Sequence, residues 1–171
     1  LTCATVSHPL ARVGHAMQYN AYANADRQGD VRSFYNVRTS TTASTPEVAA
    51  RSFIASHARE LGMQNGSITP AAEQTVVVPG GAHVRMAQNH RGIPVYGASV
   101  VVTTNAARQV TMVSNTTIAG IEVAIAPSFD AERAIMLART ALKTDARSIG
   151  TADAATLVVF RAADGSDHLA F

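Results

Sequence analysis

Between Gln74 and Thr117 the sequence leaves room for little except antiparallel strands. Four runs rich in β-branched residues follow one another closely: QTVVV, AHVRMAQN, IPVYGASVVVTT and RQVTMVSNTT. Short polar turns separate them, among them Pro79-Gly80-Gly81 and Asn89-His90-Arg91-Gly92. A parallel neighbour needs a crossover of about a dozen residues or more, which these turns do not supply. Within the second run Val84, Met86 and Gln88 share one face, and His83, Arg85 and Ala87 share the other.

Ahead of this meander stands a helix with both ends marked. Thr45 is placed to cap it, Pro46 suits the first helical position, and Glu47 complements the positive end of the dipole. Ala50, Phe53, Ile54, His57, Ala58 and Leu61 fall on one face, and Gly62 is expected to stop the helix in a left-handed cap. A second unit begins near Pro127. Asp130 is its expected N-cap, with Phe129 before it as a staple. Ala131, Ala134, Ile135, Ala138, Ala141 and Leu142 form its apolar stripe. TLVVFR and HLAF then read as a hairpin around Asp164-Gly165.

The fold class is therefore α+β, with two small modules that each pack a helix on an antiparallel sheet. Residues 1–44 form an N-terminal segment, residues 45–126 the first module and residues 127–171 the second. In the N-terminal segment GDVRSFYNVRT is one strand entered by a Gln28-Gly29-Asp30 turn, GHAMQYNAYANADRQ is surface loop or short helix, and TSTTAST is a linker. The second module is too small to bury a core alone, so Phe171 is expected to be a cut or the limit of an ordered region, not a natural domain end.

Charge excludes some partners. Net charge is +2 without any Lys or Arg run, which speaks against nucleic acid or an anionic membrane surface. No apolar stretch reaches the length of a membrane span. Charged residues are 15%, against roughly 25% for an average domain, and Ala, Ser and Thr abound, which suits a secreted or periplasmic protein. The lone Cys3 cannot form an internal disulfide and reads as a spectator thiol, with lipidation, an intermolecular disulfide or a partner's metal as alternatives.

Catalytic chemistry finds no support. His8, His15, His57, His83, His90 and His168 form no H-E-x-x-H, and no two are spaced as ligands on a helix turn. There is no G-x-S-x-G, P-loop or G-x-G-x-x-G, and Asp26, Asp30, Glu60, Glu73 and Glu122 stand in unrelated contexts. Asn65 and Asn115 open formal glycosylation sequons, which matter only in a eukaryotic secretory pathway. Neither a catalytic residue nor a metal ligand is assigned.

One stretch carries more. HVRMAQNHRGIPVYGASVVVTTN followed by RQVTMVSN resembles the prodomain of thermolysin-like and fungalysin-like zinc metallopeptidases. Gln88, Gly92, Ile93, Pro94 and Val95 match that family's pattern of glutamine, glycine turn and apolar-Pro-Val triplet. The helix before it and PSFDAERAIMLARTAL with its following hairpin match the family's order, the latter resembling a PepSY module. TTNAARQV replaces the Asp-Gly turn usual between the long strands. The resemblance implies a propeptide that chaperones and inhibits a catalytic domain outside this chain. Zinc would belong to that cognate catalytic domain and no cofactor to this chain. A stand-alone secreted peptidase inhibitor or binding module is the alternative. On residue chemistry, Gly92 permits a positive-φ turn, Pro94 fits a strand start or edge, and a core-facing Gln88 requires backbone partners, expected across the Asn89–Gly92 turn. Which residues touch the peptidase is left open.

Overall fold

In the computed structural model, which describes residues 7–9, 22–25, 31–39, 43–63, 73–141 and 155–171, eleven elements follow in order. They are β1 (Ser7–Pro9), β2 (Tyr22–Ala25), β3 (Val31–Tyr35), α1 (Pro46–Ser56), β4 (Glu73–Val78), β5 (Gly81–His90), β6 (Ile93–Asn105), β7 (Val110–Asn115), α2 (Ala131–Ala141), β8 (Val158–Arg161) and β9 (Asp167–Ala170). Strands β4 to β7 form the expected antiparallel meander. The path through the sheet is β1-β2-β3-β7-β6-β5-β4, so β3 closes on β7 and not on its neighbour in sequence, β4.

Turn chemistry sets the corners. Arg91 and Gly92, between β5 and β6, both have positive φ, 49° and 90°, the pairing a right-twisted two-residue hairpin requires. Gly81 is needed for a different reason: a Cβ there would overlap the Thr104 carbonyl oxygen on β6.

Helix α1 covers one face of the sheet. Thr45 Oγ1 accepts from the Val48 N–H at 3.3 Å, and Pro46 follows as the first helical residue. Glu47 accepts a hydrogen bond from Thr75 of β4, tying the helix start to the sheet edge. Regular helix ends at Ser56, earlier than Gly62. The His57 backbone N–H is shared between the Phe53 and Ile54 carbonyls, and its Nδ1 donates to the Phe53 carbonyl at 2.8 Å. The chain then turns through residues 57–62, with Gly62 at φ 70°, and still buries His57 and Leu61. Phe34 of β3, fully buried, meets Phe53 edge-on with centroids 5.7 Å apart, while Phe53 stacks on His57 at 4.1 Å. Val84, Met86, Val100, Val102 and Val113 complete this core.

One expectation needs correction. Tyr22–Ala25, read as loop or short helix, is strand β2, paired with β3. Its Ala and Asn residues carry little strand propensity, so the neighbouring strand and not the local sequence imposes the conformation. The Gln28-Gly29-Asp30 turn and Cys3 lie outside the described residues.

A separate second helix-on-sheet module is not confirmed. Asp130 caps α2 as expected, its Oδ1 accepting from the Arg133 N–H at 2.8 Å, but none of the described side chains of α2 is buried. The Phe129 ring lies beside that of Phe171, centroids 6.1 Å apart. The hairpin around Asp164-Gly165 does form, yet β8 joins the first sheet, parallel to β6 at Val95↔Val159. Val95, Ala98, Ile121 and Val159 make a second cluster at that junction, drawing on chain from both sides of Pro127.

Adjacent residues of β3 should respond differently to truncation. Phe34→Ala removes a fully buried ring and is expected to cost roughly 3–5 kcal/mol in denaturant unfolding. Tyr35→Ala, at a site 43% exposed, should cost less than about 1 kcal/mol.

Candidate functional site

The β5–β6 ladder breaks between Ala87 and Asn89, and the site is built around that break. Ala87 pairs with Ser99 and Asn89 pairs with Pro94, so the β6 residues from Val95 to Ala98 stand opposite Gln88 alone. A bulge of this size bends the strand. Gly97 takes φ 72° within it, while Val95 and Ala98 turn inward and Tyr96 outward, 67% exposed. Thr116 secures the bend: its Oγ1 accepts from the Ser99 N–H at 3.0 Å and lies 3.1 Å from both the Gly97 and Ser99 carbonyls.

Beyond β7 the chain runs as a strap, residues 116–119; the Thr116 N–H still donates to the Ser99 carbonyl of β6 at 2.9 Å, and from Thr117 onward side chains take over. The buried carboxamide of Gln88 donates to the Ile118 carbonyl and accepts from the Ile118 N–H, both at 2.8 Å. Only one orientation of the amide satisfies both bonds. Arg32 of β3 donates to the Thr117 carbonyl at 2.6 Å, and Arg161 of β8 donates to the Ala119 carbonyl at 3.2 Å. Past Thr116 the strap is thus held as a strand is held, with side chains in place of a neighbouring backbone. Asn115 fixes its start. Its Nδ2 donates to the Val31 and Leu61 carbonyls at 2.7 and 3.1 Å, and its Oδ1 accepts from the N–H and Oγ1 of Thr117.

An ion pair anchors the hairpin at the same place. Arg161 Nε and Nη2 reach the two carboxylate oxygens of Asp167, each at 2.8 Å, in the fork geometry guanidinium favours. Asp167 also accepts from the Glu122 N–H at 3.2 Å. The Arg161 hydrogen bonds hold the Asp167 carboxyl below its ordinary range, against the opposing effect of its burial. An open depression of about 790 Å³ lies over the strap, lined by Arg32, Arg161, Gly165 and residues 114–119.

The five motif residues fall along this break. Gln88 is buried on the face it shares with Val84 and Met86, but its partner is Ile118 and not the Asn89–Gly92 turn, which closes through its own left-handed residues. Gly92 sits in that turn, Ile93 half-buried and Pro94 exposed follow it, and Val95 is buried against β8. Arg32, Ile118 and Arg161 were not singled out by their sequence, and Asn115 was marked only as a sequon, since each acts on chain far away. Asn115 in particular reads as a glycosylation acceptor, but its side-chain nitrogen is buried and twice bonded to backbone, so no glycan can be carried there in the folded state. Asn65 lies outside the described residues.

The arrangement is suited to holding chain. Asp164, Ser166 and His168 do meet on the β8–β9 hairpin, with Ser166 Oγ 2.6 Å from Asp164 Oδ1 and 2.7 Å from His168 Nε2. The order is wrong for an activated serine, because the carboxylate binds the hydroxyl itself and does not orient the imidazole. These bonds lower the Asp164 carboxyl pKa, chiefly through the Ser166 hydroxyl, and close the turn. Among the described residues no three His, Cys, Asp or Glu side chains are grouped to hold a metal ion. No helix of the described residues is long and apolar enough to cross a membrane.

Residues 72–117 match the Fungalysin/Thermolysin Propeptide Motif family, FTP. That span takes in β4 to β7, the bulge, Gln88 and the first residues of the strap. The match supports a thermolysin/fungalysin-type propeptide over those residues. No curated protein matches the chain.

Two outcomes test the clamp. Gln88→Leu leaves both Ile118 backbone groups without a partner and should cost about 2–4 kcal/mol, with hydrogen exchange at the Ile118 amide accelerated beyond that of β4. Asp167 bears on acid stability: a carboxyl lowered on folding stabilises above its ordinary value of 3.8 and loses that contribution as pH falls through its lowered value. Exchange protection of the β9 amides should therefore hold at pH 5 and fall below pH 3.8, and Asp167→Asn should flatten that dependence.

Proposed function

We propose that this chain is the propeptide of a secreted zinc metalloendopeptidase of the thermolysin/fungalysin kind, acting as intramolecular chaperone and inhibitor of its catalytic domain. The observation that carries this reading is the coincidence of the FTP match with the sheet's irregular centre, where the meander, the bulge and the strap are joined. Residues 127–171, with their helix and hairpin, fill the place of a PepSY-like unit. Zinc belongs to the catalytic domain, which processing later frees.

Inhibition of this kind is a binding function. A stable interface buries about 800 Å² on each partner, within reach of a broad sheet face. The face turned away from α1 carries Tyr35, Val76 and Arg85, all exposed, and is not covered by a helix among the described residues.

The test is to refold the denatured catalytic domain of the same precursor with and without this chain added in trans. Peptidase activity should recover only when the chain is present, and the same chain added to folded enzyme should reduce activity. Gln88→Leu should weaken both effects by loosening the joint between sheet and strap. A chain that neither raises the yield of active enzyme nor inhibits it is not a propeptide of this kind.

A further inference from the structure

The open depression over the strap is positively charged. Among the described residues that line it, the charged ones are Arg32 from β3 and Arg161 from β8, both cations. Neither Asp164 nor Asp167 lines it, and the Asp167 side chain is only 6% exposed. Both arginines grip the same short piece of chain. Arg32 donates to the Thr117 carbonyl and Arg161 to the Ala119 carbonyl, residues whose Cα atoms stand at most about 7 Å apart. Arg161 spends two N–H donors on Asp167 and one on Ala119, of the five a guanidinium carries, and its side chain is 30% exposed. Ser114 of β7, half-buried, brings a hydroxyl to the wall.

We propose that this depression is a carboxylate-binding site whose ligand is an acidic side chain or the carboxy-terminus of a polypeptide. The polypeptide rests on the propeptide reading, in which the partner is protein; the carboxylate follows from the paired guanidinium groups alone. A guanidinium presents its donors in a planar fork that fits a carboxylate through two parallel bonds, and Arg161 already holds Asp167 in that way. Two cations drawn to one short segment repel each other, and an anion placed between them relieves the repulsion. A volume of about 790 Å³ leaves room for the residues that flank the carboxylate, space that a bare inorganic ion does not fill.

Titration of the whole chain with short peptides at low ionic strength tests this, read from the amide resonances of residues 117–119. A blocked peptide with one central glutamate probes the side chain, and an alanine peptide with a free carboxy-terminus probes the chain end. At least one should bind, and its glutamine or amidated counterpart should bind at least about tenfold more weakly, the scale of one charge-assisted pair. Arg32→Lys keeps the charge, loses the fork and should weaken binding severalfold. If that variant loosens the strap, seen as faster exchange at the Ile118 amide, the charged and neutral peptides on the parent decide alone. Absence of binding by either peptide, equal binding of charged and neutral peptides, sulfate binding as tightly as the peptides, or a folded Arg32→Lys that binds as the parent does would each overturn the proposal. The titration needs no catalytic domain, so a chain that binds carboxylates yet fails to refold the peptidase keeps this site and loses the propeptide reading.

Discussion

A single primary amide ties the sheet to the strap that follows it. Gln88, buried on the core face of β5, offers one donor and one acceptor, and both are used by the backbone of Ile118. A buried polar side chain is stabilising only when its hydrogen bonds are made, and an apolar residue here would leave the strap's own N–H and C=O unsatisfied as well. The constraint therefore runs both ways. The strap makes Gln88 tolerable in a core, and Gln88 makes a strap without a neighbouring strand tolerable beneath the hairpin.

The bulge in β6 follows from the same requirement. Past Ala87 the regular β5–β6 register stops, and β6 meets β8 instead. Four residues, Val95 to Ala98, step out of register, and Val95 becomes the parallel partner of Val159. One long strand thus serves two neighbours along one edge, β7 over Val100–Thr104 and β8 at Val95. Arg161 links these events, since its guanidinium holds both the Ala119 carbonyl and Asp167 of the hairpin.

Much of the first unit was legible because its signals are local. Thr45-Pro46 starts α1, alternation assigns Val84, Met86 and Gln88 to one face, and closely spaced turns force antiparallel neighbours. What stayed hidden depends on distant chain. Strand β2 takes its form from β3, Asn115 bonds carbonyls 54 and 84 residues away, and Arg32 bonds one 85 residues away. The amphipathic stripe of α2 predicted a helix correctly, while none of its described side chains is buried, because periodicity says which face could be covered and not whether anything covers it. Gln88 shows the same division: its need for a partner could be read from its position on the strand, but the identity of that partner could not.

The attachment of β8 has a mechanical consequence. Strands β5 and β6 share a long antiparallel ladder, and tension along them loads many hydrogen bonds together. The β8–β9 hairpin meets β6 through one backbone pair, Val95 with Val159, supported by side chains around it. Pulled from the sheet, it has no row of bonds to share the load and gives way by peeling at a point. The same sheet is therefore stiff in one direction and easily parted in another, with the compliant seam running along the bulge.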